Sequence, residues 1–218
     1  MMHKRPCVIL VADSNMAAAF RGFFQREGWH LSLGCAPFEI NTQVGADLIV
    51  DEGGNDPGVY TKGHELLRPY QSSHQHAIVV LDCEWDGSPG KAAIEAHITE
   101  QLVASGWADG AVKVIAIDPE LENWLWQDKP QVAQALRYKG QPPLRQLLAD
   151  RGLWPLDAAK PPRPKEAAQW VLRQTRQPRS SAIYQQLAAQ VSTRGCTDAA
   201  FGELNATLQA WFAPEGTA

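Results

Sequence analysis

The chain has 218 residues, 44% of them hydrophobic and 20% charged, which is enough apolar material for one full core. It contains no run of 18 apolar residues, and its short apolar start is followed at once by Asp13, so we expect neither a membrane span nor a cleavable signal. Four scattered cysteines without a C-x-x-C pair argue against a zinc knuckle and a disulfide scaffold, and the expected location is the cytoplasm.

The first elements in chain order are a strand, a tight turn and a helix. The apolar run CVILVA predicts a buried strand, and the D-S-N that follows supplies N-cap residues for the helix NMAAAFRGFFQRE. HLSLGC and DLIVDE predict a further pair of strands. The Gly- and Asp-rich EGGNDPG then predicts an exposed turn before a helix near residues 62–70.

The strongest strand pattern is AIVVL, which ends on Asp82. It leads into the amphipathic helix KAAIEAHITEQLVAS, where Ile94, Ile98 and Leu102 are spaced by four, and VKVIAI predicts another strand. Continuous apolar strands that alternate with helices are typical of a mostly parallel sheet covered on both sides. The predicted class is therefore α/β, with helices flanking the sheet.

Beyond Pro119 the strand pattern disappears. PELENWLW, QVAQALRY and PLRQLLAD predict short helices, and a Pro-rich stretch at about residues 153–165 predicts a rigid connector. Two or three helices follow, and the last has an apolar stripe at helical spacing. The predicted organisation is an α/β domain over residues 1–128 with a C-terminal helical extension over 129–218 packed on it. The stripe consists of Phe201, Leu204, Leu208, Trp211 and Phe212.

Charge is distributed unevenly along the chain. Residues 1–128 hold 8 Lys and Arg against 18 Asp and Glu, a net charge of −10, whereas residues 129–194 hold 12 against 3, a net charge of +9. An acidic part can collect divalent cations and a basic part can follow a phosphate backbone, as a metal-dependent nucleic-acid enzyme requires. Two solvated surfaces of different charge explain the numbers equally well.

Acidic residues follow the predicted strands at their carboxyl ends, where parallel α/β sheets collect ligands. Mg²⁺ takes oxygen ligands, so acids that converge from separate strands predict a metal site. The alternative is that these acids cap helices and decorate loops. The acids concerned are Asp13 after the first strand, Asp82, Glu84 and Asp86 after AIVVL, and Asp118, Glu120 and Glu122 after VKVIAI.

The ordered set of these motifs resembles a known family. An apolar strand with an acidic turn, a strand ending in the D-x-D-like D-C-E, and a strand followed by P-E-L-E-N-W-L-W together resemble the TOPRIM-like proteins of bacterial defence islands. These proteins are related to the nuclease domain of overcoming-lysogenization-defect enzymes. The C-terminal GCTDAAFGELNATLQAWF resembles the closing helix of the same group, so the resemblance covers most of the chain.

The resemblance implies a TOPRIM-like fold and a Mg²⁺ (or Mn²⁺) centre for phosphodiester cleavage. Asp82 and Glu84 match the metal-holding D-x-D pair, and Glu122 matches the acid of the E-x-W-L element. In the family a glutamate after the first strand acts in acid-base chemistry, whereas this chain reads V-A-D-S there. Either the shorter Asp13 takes that catalytic position, with Glu84 as the second catalytic candidate, or the site has lost its general base.

Four basic residues are the candidates for nucleic-acid contacts. Lys91 stands at a predicted helix N-terminus, and Arg173, Arg176 and Arg179 would form one basic strip if their segment were helical. Ordinary solvated positions are the alternative for all four. GSPGK lacks the glycine and hydroxyl residues of a phosphate loop, and nucleotide hydrolysis is rejected.

Some histidines and tryptophans also resemble functional residues. His74 and His76 form an H-x-H pair without a third ligand nearby, and we expect them at the surface of a loop. Trp124 is expected to pack in the core. Trp126 is left open between packing and base stacking.

Three functions remain open. The first is a Mg²⁺-dependent nuclease in anti-phage defence, and the second is a catalytically degenerate scaffold subunit of a multi-protein defence complex. The third is a phosphate-binding regulatory domain, which lacks a nucleotide fingerprint. Nucleic acid and other defence proteins are the expected partners, and no membrane partner is expected.

Overall fold

Four parallel strands form the central sheet in the computed structural model, which describes residues 4–193 and 196–214. The strand order is β2-β1-β3-β4. This all-parallel sheet, flanked by helices and followed by further helices, confirms the predicted α/β class. The strands are β1 (Arg5–Val11), β2 (Leu48–Val50), β3 (His74–Asp82) and β4 (Val112–Ile117).

The sheet is built from the continuous apolar runs of the sequence. In the register, Ile9 of β1 lies beside both Leu48 of β2 and Ile78 of β3, and Val80 of β3 lies beside Ile115 of β4. All five side chains are buried. Helices cover both faces of such a sheet, which explains why its strands do not alternate with polar residues.

The helices of the sheet part begin and end at identifiable residues. Asp13 caps α1, and Asn55 caps α3 by accepting a hydrogen bond from the Gly58 backbone N–H. The helix predicted near residues 62–70 begins earlier, at Asp56, and ends at Leu67. A 3₁₀ turn, Arg68–Tyr70, follows it. The helices are α1 (Ser14–Phe24), α2 (Trp29–Leu33), α3 (Asp56–Leu67) and α4 (Lys91–Ser105).

The strand predicted at HLSLGC is wrong, because this segment forms α2. Alternating apolar residues suggested a strand that would place Leu31 and Leu33 on one face. In the helix they separate, and Leu31 is 70% exposed whereas Leu33 is 1% exposed. Left-handed glycines at 28 and 34 delimit this short helix.

The C-terminal part is helical, as predicted. Between α7 and α8 the Pro-rich connector forms neither a helix nor a strand, and Arg145 holds it by donating to the carbonyl oxygens of Trp154 and Pro155. Among the described residues, no helix has both the length and the apolar character needed to cross a bilayer. The helices are α5 (Glu122–Leu125), α6 (Pro130–Ala135), α7 (Leu144–Asp150), α8 (Pro164–Gln174), α9 (Ser181–Gln190) and α10 (Ala199–Trp211).

The helical part packs directly against the sheet part. Helix α9 lies along α1, and α10 lies against β4. At the first contact, Gly22 of α1 faces the backbone of Gln185 so closely that a Cβ atom would lie 2.2 Å from the Gln185 carbonyl oxygen. The buried apolar residues of both parts consequently form one continuous core.

Candidate metal centre

Asp82 is the last residue of β3 and is 9% exposed. Its Oδ1 accepts a hydrogen bond of 2.7 Å from the Leu121 backbone N–H. Its own backbone N–H donates to Oδ1 of Asp56, the first residue of α3, at 2.7 Å. Two acidic side chains, Asp82 of β3 and Asp56 of α3, therefore lie close together at the end of β3.

Two further carboxylates come from the segment after β4. Glu120 and Glu122 lie close to Asp82, and one oxygen from each of the three side chains lies within 4.8 Å of the others. Glu122 is 3% exposed. Asp82 ends β3, and Glu120 and Glu122 follow the neighbouring parallel strand β4, so all three acids lie at the carboxyl edge of the sheet.

Both side-chain hydrogen bonds to the Glu122 carboxylate go to the same oxygen, Oε1. Its Oε1 accepts both from the Tyr184 hydroxyl at 2.5 Å and from Arg179 Nη2 at 2.8 Å, and Arg179 Nε donates to the Tyr184 hydroxyl oxygen at 2.6 Å. Within the described part of the chain, Glu122 Oε2 and Asp82 Oδ2 receive no donor. Each of these carboxylates therefore keeps one oxygen for a cation, and the donor set suits Mg²⁺ or Mn²⁺.

Glu120 contacts α8 in the helical part. Its Oε1 accepts from the Lys165 backbone N–H at 2.7 Å, and its Oε2 lies 3.5 Å from Lys165 Nζ. The ammonium of Lys165 thus lies beside Glu120 as one positive charge of the centre.

The cations Lys165 and Arg179 offset only part of the repulsion among the carboxylates of the centre. Burial, and then the charges of Asp56 and Glu122, raise the pKa of Asp82 well above its ordinary value. Burial and the charge of Glu122 raise the pKa of Glu120, and burial together with the charge of Asp13 raises that of Asp56. A divalent cation at the three carboxylates would relieve this repulsion.

No protein-family model, no curated protein and no solved structure matches the chain. The TOPRIM-like resemblance accordingly remains an interpretation of the sequence.

The structure brings together some of the predicted metal ligands but not all. Asp82 and Glu122 belong to the three-carboxylate group, whereas Glu84 is exposed and outside it. Strand β3 ends at Asp82, so the alternation that would align Glu84 with Asp82 stops there. Glu120 takes the third position. Glu84 instead lines a groove of about 250 Å³ together with Glu120, Arg163, Lys165, Glu166 and Gln169.

Asp13, the predicted general base, lies beside the centre without joining the group of three. It caps α1, and its Oδ1 accepts from the backbone N–H groups of Asn15 and Met16, each at 2.8 Å. Its charge reaches Asp56, whose pKa it raises. One of its two oxygens is therefore engaged in holding the helix terminus.

The predicted basic residues do not form one surface. Lys91 forms ion pairs with Glu203 at 2.7 Å and with Glu95 at 3.7 Å. Helix α8 ends at Gln174 and Arg176 has a left-handed backbone (φ 53°), so the segment is not helical throughout and Arg173, Arg176 and Arg179 do not form the helical strip that this condition required. Arg179 instead holds Glu122.

The remaining histidine and tryptophan expectations have mixed outcomes. His74 is not at the surface: it lies buried in β3, where its Nε2 is 3.1 Å from Asp47 Oδ1. His76, also in β3, stacks on Trp211 with ring centroids 4.2 Å apart. Trp124 packs on the core as expected, and Trp126 is buried and donates to the Pro164 carbonyl oxygen at 2.7 Å.

Sequence reasoning missed Lys165 and Tyr184. Lys165 lies 45 residues beyond Glu120, and Tyr184 lies 62 residues beyond Glu122. No motif links these positions, so only the tertiary fold identifies them.

Proposed function

We propose that the chain binds Mg²⁺ or Mn²⁺ through Asp82, Glu120 and Glu122 and uses it to cleave phosphodiester bonds in nucleic acid. One observation carries the proposal: three carboxylates at the carboxyl ends of two neighbouring parallel strands offer oxygens within 4.8 Å of one another, at the edge where such sheets bind ligands. Metal-assisted hydrolysis is the reaction class that this donor set supports best.

The residues around the centre have separate roles in this proposal. Tyr184 and Arg179 orient Glu122, and the Leu121 backbone N–H orients Asp82. A divalent cation held by Asp82, Glu120 and Glu122 would polarise a phosphoryl oxygen and activate water. The groove beside Glu120 contains two cations, Arg163 and Lys165, which offer contacts to a phosphate backbone among the carboxylates that also line it.

The resemblance to TOPRIM-like proteins of defence islands supports a setting for this activity. In that setting the chain acts in the cytoplasm against phage nucleic acid, together with other defence proteins. DNA and RNA are equally compatible with the acidic centre, because carboxylates that hold a metal do not distinguish deoxyribose from ribose.

A second candidate is a catalytically degenerate subunit that binds partners through the same fold. Two observations favour it. Asp13 stands where the family has a glutamate, and its carboxylate is engaged in capping α1. Lys165 and Arg179 also give Glu120 and Glu122 internal ion pairs.

The deciding experiment combines metal binding with cleavage. Isothermal titration with Mg²⁺ and Mn²⁺ compares the wild type with Asp82→Asn, and Asp86→Asn in the exposed loop after β3 serves as the control. Labelled single- and double-stranded DNA and RNA are then tested with the same three proteins. Binding and cleavage that Asp82→Asn alone abolishes support the nuclease. Metal binding without cleavage favours the subunit, and absence of binding rejects the metal centre.

A further inference from the structure

An aromatic cluster lies on the surface beside the candidate metal centre. It consists of Tyr60 of α3, Trp85 in the loop after β3 and His97 of α4, and all three residues are partly exposed. The ring centroids of Tyr60 and His97 are 4.5 Å apart, and those of Tyr60 and Trp85 are 5.9 Å apart. The rings thus support one another while part of the cluster stays open to solvent.

Helix α3 connects this cluster to the centre. Tyr60 lies one turn after Asp56 on the same face of the helix, and one turn rises about 5.4 Å. The Asp56 carboxylate accepts a hydrogen bond from the Asp82 backbone N–H. Tyr60 therefore stands about one helical turn from a residue that contacts the centre.

The loop after β3 holds Trp85 next to the carboxylates. Trp85 follows Asp82 by three residues, and the Glu84 backbone N–H between them donates to the Pro119 carbonyl oxygen at 3.2 Å. This bond fixes the base of the loop against the segment that carries Glu120. Because Glu84 also lines the groove beside Glu120, the aromatic cluster and the groove adjoin each other.

The fold leaves part of the Trp85 indole free. The ring packs on the edge of the core, but within the described residues its Nε1 has no hydrogen-bond partner and is not among the buried atoms that lack one. The Nε1 of Trp85 therefore faces solvent. Trp124 and Trp126, by contrast, use their Nε1 atoms for hydrogen bonds inside the protein.

The groove on the other side of Glu84 offers contacts to a phosphate backbone. It has a volume of about 250 Å³, and the cations Arg163 and Lys165 line it among carboxylates. Proteins bind single strands by combining such cations with aromatic rings on which bases stack. A base inside a duplex is stacked between its neighbours, so only an unpaired base can lie on a protein ring.

We infer that the centre acts on single-stranded nucleic acid, with a base next to the cleaved phosphate stacked on Trp85. The backbone beyond that base contacts Arg163 and Lys165 in the groove, and Tyr60 and His97 hold the indole in place. This inference rests on the proposed phosphodiester cleavage and narrows its substrate to unpaired strands.

The experiment compares two labelled strands of about twelve nucleotides, a length within the usual range of single-strand sites. One is oligothymidylate, and the other has the same sugar-phosphate backbone with every base removed. Binding to the full-length chain is measured by fluorescence anisotropy at fixed salt, with Ca²⁺ as the oxygen-binding cation, and each strand is checked for integrity afterwards. The wild type should bind oligothymidylate about tenfold more tightly than the abasic strand, and more tightly than a duplex of the same length.

Three variants locate the stacking site. Trp85→Leu should weaken binding of oligothymidylate about tenfold and leave binding of the abasic strand unchanged. Trp85→Phe keeps an aromatic face and should stay within about threefold of the wild type. Trp29→Leu is the control, because Trp29 packs on Phe24 at the end of α1 remote from Asp13, and it should change neither affinity. All three should keep the Mg²⁺ affinity of the wild type in calorimetry.

Equal affinity of the wild type and Trp85→Leu for oligothymidylate, or tighter binding of the duplex, would overturn the inference. If the wild type then still binds Mg²⁺ and cleaves nucleic acid, and Asp82→Asn abolishes both, only the substrate class is wrong. Absence of Mg²⁺ binding by the wild type would reject the proposed function and this inference together.

Discussion

Asp82 should make the stability of the metal-free protein depend on pH. Its pKa is raised by burial and by Asp56 and Glu122. A carboxyl with a higher pKa in the folded state stabilises the fold fully below its unfolded pKa, and this contribution is lost as the pH rises through the folded pKa. At neutral pH without divalent cations, Asp82→Asn should therefore raise the free energy of unfolding by about 1 to 3 kcal/mol. Urea denaturation in a chelator measures this difference.

The pH series and added metal provide the controls for this prediction. Below the ordinary pKa of an aspartate the two proteins should be equally stable, because both side chains are then neutral. Mg²⁺ at neutral pH should stabilise the wild type and leave Asp82→Asn unchanged. A variant that matches the wild type at low pH but is no more stable than it at neutral pH would show that its neighbours already compensate the ionised carboxylate.

Tyr184 is expected to matter for metal binding more than for folding. Tyr184→Phe removes the donor to Glu122 Oε1 and the acceptor for Arg179 Nε. Groups that orient metal ligands typically change metal affinity by 10- to 100-fold, and we expect about a tenfold loss for Mn²⁺ in calorimetry. Tyr138→Phe is the matched control, because its hydroxyl donates only to the Pro142 carbonyl oxygen. Equal Mn²⁺ affinity in the two variants would contradict a positioning role.

At the scale of elements, the contact of α1 with α9 depends on a residue without a side chain. A Cβ atom on Gly22 would lie 2.2 Å from the Gln185 carbonyl oxygen, so Gly22→Ala should separate the helices and destabilise the fold by about 1 to 3 kcal/mol. Gly202 in α10 has nothing within 4 Å of the same position, and Gly202→Ala should stabilise the fold by about 0.5 to 1 kcal/mol. Thermal unfolding of both variants tests the pair. A stabilising Gly22→Ala would mean that α9 can move away at no cost.

Elements with long, consistent patterns could be predicted from the sequence, and tertiary pairings could not. Helix α4 was predictable because Ile94, Ile98 and Leu102 repeat every four residues, and all three are buried. The short α2 was not, because five residues do not distinguish a helix from alternating strand residues. Asp82 and Glu122 could be placed at one sheet edge, since parallel strands end together. Glu84 could not be excluded, because the pattern does not show where β3 ends.

At the scale of the whole molecule, the candidate centre joins the two predicted parts of the chain. Its carboxylates belong to residues 1–128, whereas Lys165, Arg179 and Tyr184, which contact them, belong to the helical extension. The apolar core is also continuous between the parts. These contacts and the shared core make it unfavourable for either part to unfold alone.

Mg²⁺ should therefore protect both parts, although its proposed ligands come from one. Amide hydrogen exchange followed by mass spectrometry is expected to slow in β3 and also in α8 and α9 when Mg²⁺ is added, and urea unfolding should show one transition by all probes. In Asp82→Asn the exchange of α8 and α9 should not respond to Mg²⁺. Protection confined to residues 1–128, or two separate unfolding transitions, would mean that the helical extension folds independently. Lys165 and Arg179 would then be surface neighbours of the centre with no energetic coupling to it.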